Sequence, residues 1–311
     1  MAAQVSPLLE KLDPRSMMED DGLQKANIAI KLLAQKVTTD ATTASAIAEA
    51  NGVLILLQTA LLHPVPELRE GAITVIAGCV RCADNASFME MALEKNLPAA
   101  LVRLCSEQDR RAKKSHGDEG ELGEGSQEKA HDPDLPVRRV AVDVLADVLF
   151  RIDVKTTLRV LGSTEWHGVV GTCFALIGNT DARIRERGAT LLARLMGVPH
   201  DKGGDAHAAS AEPPLVAFTQ EQREQLISFS REYASAEAEK AAAVLTLALS
   251  DDDEHVRAVA CEVMSALRPS TALREQLRAN NAVVAAAALG SQASEVVDWL
   301  GGVEAAMRAE V

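Results

Sequence analysis

The chain has 311 residues, of which 47% are apolar but only 3% aromatic, and its formal charge is −13. Without clustered Lys and Arg or aromatic platforms, that charge disfavours nucleic acid as a partner and suits a basic protein instead. No run approaches the ~20 apolar residues of a membrane helix, and the opening residues lack the basic flank and long apolar core of a secretory signal. A monomer in the cytoplasm, away from membranes, is expected.

Residues 1–16 are expected to form a flexible N-terminus, followed by a helical unit at about 17–62. That unit ends in "EANGVLILLQTAL" (Glu49–Leu61), a polar break followed by a short apolar helix. The break supplies the turn conformation and capping that separate two consecutive helices.

The next stretch, "PELREGAITVIAGCV" (Pro66–Val80), sets a pattern that recurs at Leu135–Ala146, Arg183–Ala193 and His255–Ser265. The copies align on Arg69, Arg138, Arg185 and Arg257, each preceded by an aliphatic residue. Three residues later stands a small one (Ala72, Ala141, Gly188, Ala260), then paired aliphatics (Val75–Ile76, Val144–Leu145, Leu191–Leu192, Val263–Met264). Apolar positions at i, i+4, i+7 and i+8 lie on one face of a helix. The small residue admits a neighbouring helix. The arginine, on the first turn, either pairs with acids of the adjacent repeat or contacts a ligand; pairing is the favoured reading.

The apolar element also recurs, as "EKNLPAALVRLC" (Glu94–Cys105) and "RANNAVVAAAAL" (Arg278–Leu289), with "EWHGVVGTCFAL" (Glu165–Leu176) as a looser copy carrying its break at Gly. The arginines are 69, 47 and 72 residues apart. Two polar, aperiodic inserts, at 109–133 and 197–217, account for the irregularity and read as surface loops. Without them the period falls in the mid-forties, roughly the range of helical repeats. The units are expected at about 66–107, 134–180, 181–250 and 251–291, with a cap at 292–311. No helix pair buries its stripe alone, so the units stack around a shared core.

Gly117–Gly125 is Gly-rich but acidic and follows no strand, so it would repel phosphate. Cys79 and Cys82 form a lone CxxC with no accompanying zinc-spaced pair, and they read as core residues. There is neither HExxH nor GxSxG. The acidic run Asp251–Glu254 caps a helix start, where carboxylates meet free N–H groups and the positive end of the macrodipole. The five cysteines suit reduced, buried thiols. No catalytic, cofactor-binding or metal-ligating residue is expected, and the chain reads as a non-enzyme.

The elements "NLPAALVRLC" and "NGVLILLQTAL" resemble the third helix of an armadillo repeat, and "ELREGAITVIAGCV" and "PVRRVAVDVLADVLF" resemble its second. A HEAT repeat, with two helices, lacks the first of these. The resemblance favours armadillo over HEAT and implies an all-α, armadillo-like right-handed superhelix of stacked repeats. Size, an N-terminal helical unit and about four repeats make the chain similar to the armadillo-type nucleotide exchange factors of 70-kDa heat-shock chaperones. The closest stretch is Glu67–Cys105, followed by Val137–Leu161. The family's Asn-rich segment is reduced here to Asn85 in "RCADNASF".

The resemblance implies that a concave face wraps the chaperone's ATPase domain and promotes ADP release by binding the nucleotide-poor conformation better. It also implies that the third helices line that face, which makes Gln58, Arg103 and Glu107 the candidate contacts. An adaptor for a cytoskeletal or phosphatase complex is the alternative. Armadillo proteins that read extended basic peptides carry Trp and Asn four residues apart. Here Trp166 is followed by Val170 and Trp299 by Val303, so nuclear-import cargo binding is disfavoured.

Overall fold

All four arginine-bearing stretches fold as helices, and their apolar face is the core. The computed structural model describes residues 2–13, 21–82, 84–106, 134–151, 163–196 and 219–301. Glu107, both expected inserts and the end of the expected cap lie outside the described residues. The chain forms two compact units, Met1–Phe150 and Arg151–Val311.

The first unit holds α1 (Ala2–Glu10), α2 (Gly22–Thr39), α3 (Thr43–Glu49), α4 (Gly52–Leu62), α5 (Pro66–Arg81), α6 (Ala86–Glu94) and α7 (Leu97–Ser106). It ends with α8 (Leu135–Arg151), whose last residue crosses into the second unit. The second unit continues with α9 (Ser163–Ile177), α10 (Ala182–Leu195), α11 (Gln220–Ala236), α12 (Ala238–Leu249) and α13 (Glu254–Ala266). α14 (Thr271–Ala279), α15 (Ala282–Ala288), a 3-10 turn (Gly290–Ala293) and α16 (Ser294–Leu300) complete it. No strand occurs among the described residues.

Helix starts follow their local chemistry. Pro66 opens α5 at its first turn, where its missing N–H costs nothing. Asp253 caps α13, accepting from the His255 and Val256 amides, and the Ser270 hydroxyl accepts the Leu273 amide to cap α14.

The polar breaks have one shared geometry. Asn51, Asn96 and Asn281 take left-handed φ values of 53°, 57° and 57°. Each amide donates to a carbonyl three residues back, on Ala48, Leu93 and Arg278. Asparagine tolerates this conformation better than most residues, and it turns α3 through 89° into α4. In "NG" the asparagine makes the turn. The glycine is needed for space instead: a Cβ on Gly52 would lie 2.9 Å from the Ile47 carbonyl oxygen and 2.6 Å from Leu9 Cδ1.

The looser copy departs from expectation. α9 runs unbroken from Ser163 to Ile177, with Gly168 helical inside it. No asparagine is present there to hold the left-handed turn. Gly168 faces open space, so its only penalty is the ~1 kcal/mol of a mid-helix glycine.

Stacking has a period of three helices. In the first unit α2 packs on α5, α3 on α6 and α4 on α7. In the second, α9 packs on α12, α10 on α13, α11 on α14, α12 on α15 and α13 on α16. A two-helix repeat would stack every second helix, so the repeat is of the three-helix, armadillo kind. The core lies between the rows: Leu68, Val75, Ile76, Val144, Leu145, Leu191, Leu192, Val263 and Met264 are all buried. Burying each such side chain contributes roughly 1.5–3 kcal/mol.

Among the described residues no single helix is long and apolar enough to cross a membrane. The bent pair α3–α4 has the composition, but Ala44, Ile47, Val53, Leu56 and Ala60 are buried in the first unit.

Candidate protein-binding surface

The rows are held in register by the repeat arginines. Two residues before the caps of α5, α10 and α13 stands a polar side chain that accepts the cap's amide. His63 Nδ1 accepts from Val65 at 3.0 Å, Asn179 Oδ1 from Asp181 at 2.9 Å and Asp251 Oδ1 from Asp253 at 2.9 Å. The backbone carbonyl of the same residue accepts the arginine six positions on. Arg69 Nη1 donates to His63 at 2.5 Å, Arg185 Nη1 to Asn179 at 3.1 Å and Arg257 Nη1 to Asp251 at 2.6 Å.

Two of these arginines also reach the next unit of the repeat. Arg69 pairs with Asp134 at the start of α8, and Arg185 Nε donates to Asp251 Oδ2 at 2.7 Å. Arg69 and Arg138 are buried. This is the acid-pairing role favoured from the sequence. Removing one partner of such a buried pair strands the other charge and costs about 3–5 kcal/mol. The pairs Arg81–Asp147 (2.6 Å) and Arg268–Glu295 (2.5 Å) include more exposed side chains and contribute about 1 kcal/mol at most.

Small residues set the approach of the helices. A Cβ on Gly188 would lie 2.6 Å from Leu176 Cβ and 3.0 Å from the Leu176 carbonyl carbon. Gly71 and Gly78, seven residues apart on α5, receive Ile30 and Val37 of α2; a Cβ would meet them at 2.2 Å and 2.7 Å.

With the inner faces fixed, the outer faces form rows of exposed side chains. Gln58 is exposed on α4 and Arg103 on α7, so the α4–α7 stack carries both on one row of the first unit. Glu107 lies outside the described residues. Along the long helices the exposed positions include Gln24, Lys31 and Gln35 on α2, then Glu67, Thr74 and Arg81 on α5. The sequence reading overlooked His63 and Asn179 as partners of the arginines, although each stands six residues before one.

Three of the thiols, Cys79, Cys105 and Cys261, are poor nucleophiles. Burial raises Cys79 well above the ordinary thiol range, Cys105 to about 12 and Cys261 to about 11. Cys82 is half-buried, with its thiol donating to the Ala41 carbonyl at 3.0 Å. Burial also lowers His63, assisted by the nearby Arg69 guanidinium, so its ring is held neutral to accept the Val65 amide. Among the described residues no group of three His, Cys, Asp or Glu side chains is placed to hold a metal ion.

No family model matches the chain, and no curated protein matches it. Solved structures do. A designed armadillo repeat protein in complex with the peptide (KR)4 is 16% identical over 98% of this chain and 99% of its own, with a TM-score of 0.51. A second designed armadillo repeat protein is 14% identical over 98% and 99%, with a TM-score of 0.52. A crystallised engineered protein is 16% identical over 96% and 98%, with a TM-score of 0.54. Identities this low speak to the fold alone. With the three-helix stacking period, they give the chain an all-α, armadillo-like fold.

Proposed function

We propose that the chain is a non-catalytic scaffold that binds another protein across its rows of stacked helices. The observation that carries this reading is the row itself. α4 stacks on α7, and Gln58 and Arg103, seven residues after Asn51 and Asn96, are both exposed on that row. One solved structure of the same fold holds the peptide (KR)4, and this chain's charge of −13 suits a basic partner. Five free thiols suit a reducing compartment, the cytosol.

The more specific form of the proposal is a cofactor of a 70-kDa heat-shock chaperone, which binds the ATPase domain and promotes ADP release. It is supported by the likeness of Glu67–Cys105 to that family, and Gln58, Arg103 and Glu107 are its proposed contacts. Release of fluorescent ADP from a purified chaperone tests it. The expected result is acceleration of at least about tenfold, ~1.4 kcal/mol off the barrier, lost in a Gln58→Ala/Arg103→Ala variant. An unchanged rate without binding overturns this form and leaves the adaptor alternative, with a cytoskeletal or phosphatase component as partner, to be tested by affinity capture.

A further inference from the structure

In the described long-helix row of the first unit, α2 turns an exposed apolar face away from α5. Ile28 and Leu32, one turn apart, are 52% and 41% exposed. Ile30 and Val37 of the same helix point at α5, into Gly71 and Gly78. At about 100° per residue, Ile28 and Leu32 lie on the opposite side of α2 from that joint.

The two helices can be aligned through their buried residues, Gly22, Ala26, Ala29, Ile30 and Leu33 on Leu68, Ala72, Val75, Ile76 and Cys79. Lys25, Ile28 and Leu32 then correspond to Gly71, Thr74 and Gly78. So the face that α5 uses to receive α2 is, on α2, the open one.

The charge around this face selects its occupant. From Gly22 to Thr39 the helix carries Lys25, Lys31 and Lys36 and no acid, in a chain whose charge is −13. Lys25 pairs with Asp21 and Lys36 donates to the exposed Gln4 side chain at 3.3 Å. Lys31 is exposed beside Ile28 and Leu32. A second copy of the chain would set lysines against lysines. The α2–α5 joint shows the rule: small residues on one helix receive large ones of the other at matching spacing, Gly71 and Gly78 taking Ile30 and Val37 seven residues apart. Ile28 and Leu32, four apart, call for small residues at i and i+4.

We propose that the outer face of α2 is a docking site for an amphipathic helix of a partner protein. That helix has small residues at i and i+4 and acidic residues along both edges, and it seats against α2 on the side away from α5. The site is separate from the Gln58–Arg103 row and does not depend on it.

The test uses the full chain and a stapled helical peptide of about 18 residues, long enough to span five turns. The peptide carries Gly at i and i+4, Leu beside them and Glu at both edges; a control peptide carries Lys for Glu. Fluorescence anisotropy is expected to show saturable binding of the Glu peptide, weakened at least about tenfold in Ile28→Glu/Leu32→Glu. A Lys31→Glu/Lys36→Glu chain is expected to prefer the Lys peptide. Circular dichroism checks both variants for native helicity, and the lysine pair carries the test if the other variant unfolds. Absence of saturable binding, equal binding of the two peptides, or binding indifferent to the variants overturns the proposal. A concentration-dependent dimer lost in Ile28→Glu/Leu32→Glu also overturns it, assigning the face to a second copy.

Discussion

The joint between α2 and α5 and the joint between α10 and α13 occupy the same place in the architecture but are made of different chemistry. In the first, two glycines receive Ile30 and Val37 and shape does the work. In the second, Arg185 is paired with Asp251 at 2.7 Å, and Thr190 lies 3.1 Å from His255 Nε2. Equivalent stacking is therefore reached either by close apolar fit or by a half-buried charge pair. The period of the rows, rather than one kind of contact, is what the repeat preserves.

The comparison can be broken experimentally, because Trp166, Tyr233 and Trp299 all lie in the second unit. Fluorescence reads that unit, whereas circular dichroism reads both. The largest effect is expected from Arg185→Ala. It strands Asp251, whose side chain is 9% exposed, and should lower the stability of the second unit by about 3 kcal/mol in urea. A loss below about 1 kcal/mol would mean that the pair is no stronger than a surface bridge.

Gly71→Val should cost less, about 2 kcal/mol of overpacking against Ile30. That loss should appear in circular dichroism but leave the fluorescence transition in place. If both probes move together, the units unfold as one.

A smaller, pH-dependent difference follows from the acceptors of the arginine ties. The first unit uses His63 where the second uses Asn179 and Asp251. Burial holds the folded His63 below its ordinary value of 6.5. The unfolded chain therefore binds more protons as pH falls through 6.5 toward the folded value, and stability declines across that window. His63→Asn, copying Asn179, should flatten the pH dependence of the first transition; an unchanged slope would mean that His63 is not its source.

Smallest of all should be the turns. Asn96→Gly should be nearly neutral at φ 57°, whereas Asn96→Ala should cost about 1 kcal/mol, measured as a shift of the urea midpoint.

Much of the fold was legible in the sequence because helical packing leaves a period. The four arginine-aligned stretches became α5, α8, α10 and α13, and every paired aliphatic position is buried. The asparagine breaks were legible for the same reason, since a left-handed turn restricts which residues can stand there. Glu165–Leu176 was misread: glycine permits a break without requiring one, and only the asparagines enforced it.

The arginine ties were half legible. Acid pairing could be expected from charge, but the carbonyl six residues back is backbone and leaves no residue signature. A trace does exist in the polar residue at that position, His63, Asp132, Asn179 and Asp251. The candidate contacts were the least legible part. Exposed positions such as Gln58 and Arg103 carry no packing constraint, so a single sequence offers no pattern by which to pick them.

Third-neighbour stacking also sets how the chain comes apart. Each row contact reaches only to the next repeat, so stability is close to a sum of local steps and a terminal helix has one stacked neighbour where an inner one has two. Among the described helices of the long-helix rows, hydrogen exchange should be faster at α2 and α16, each with one described neighbour in its row, than at inner helices such as α13. Opening then proceeds rung by rung, so one repeat can come apart while its neighbours stay folded.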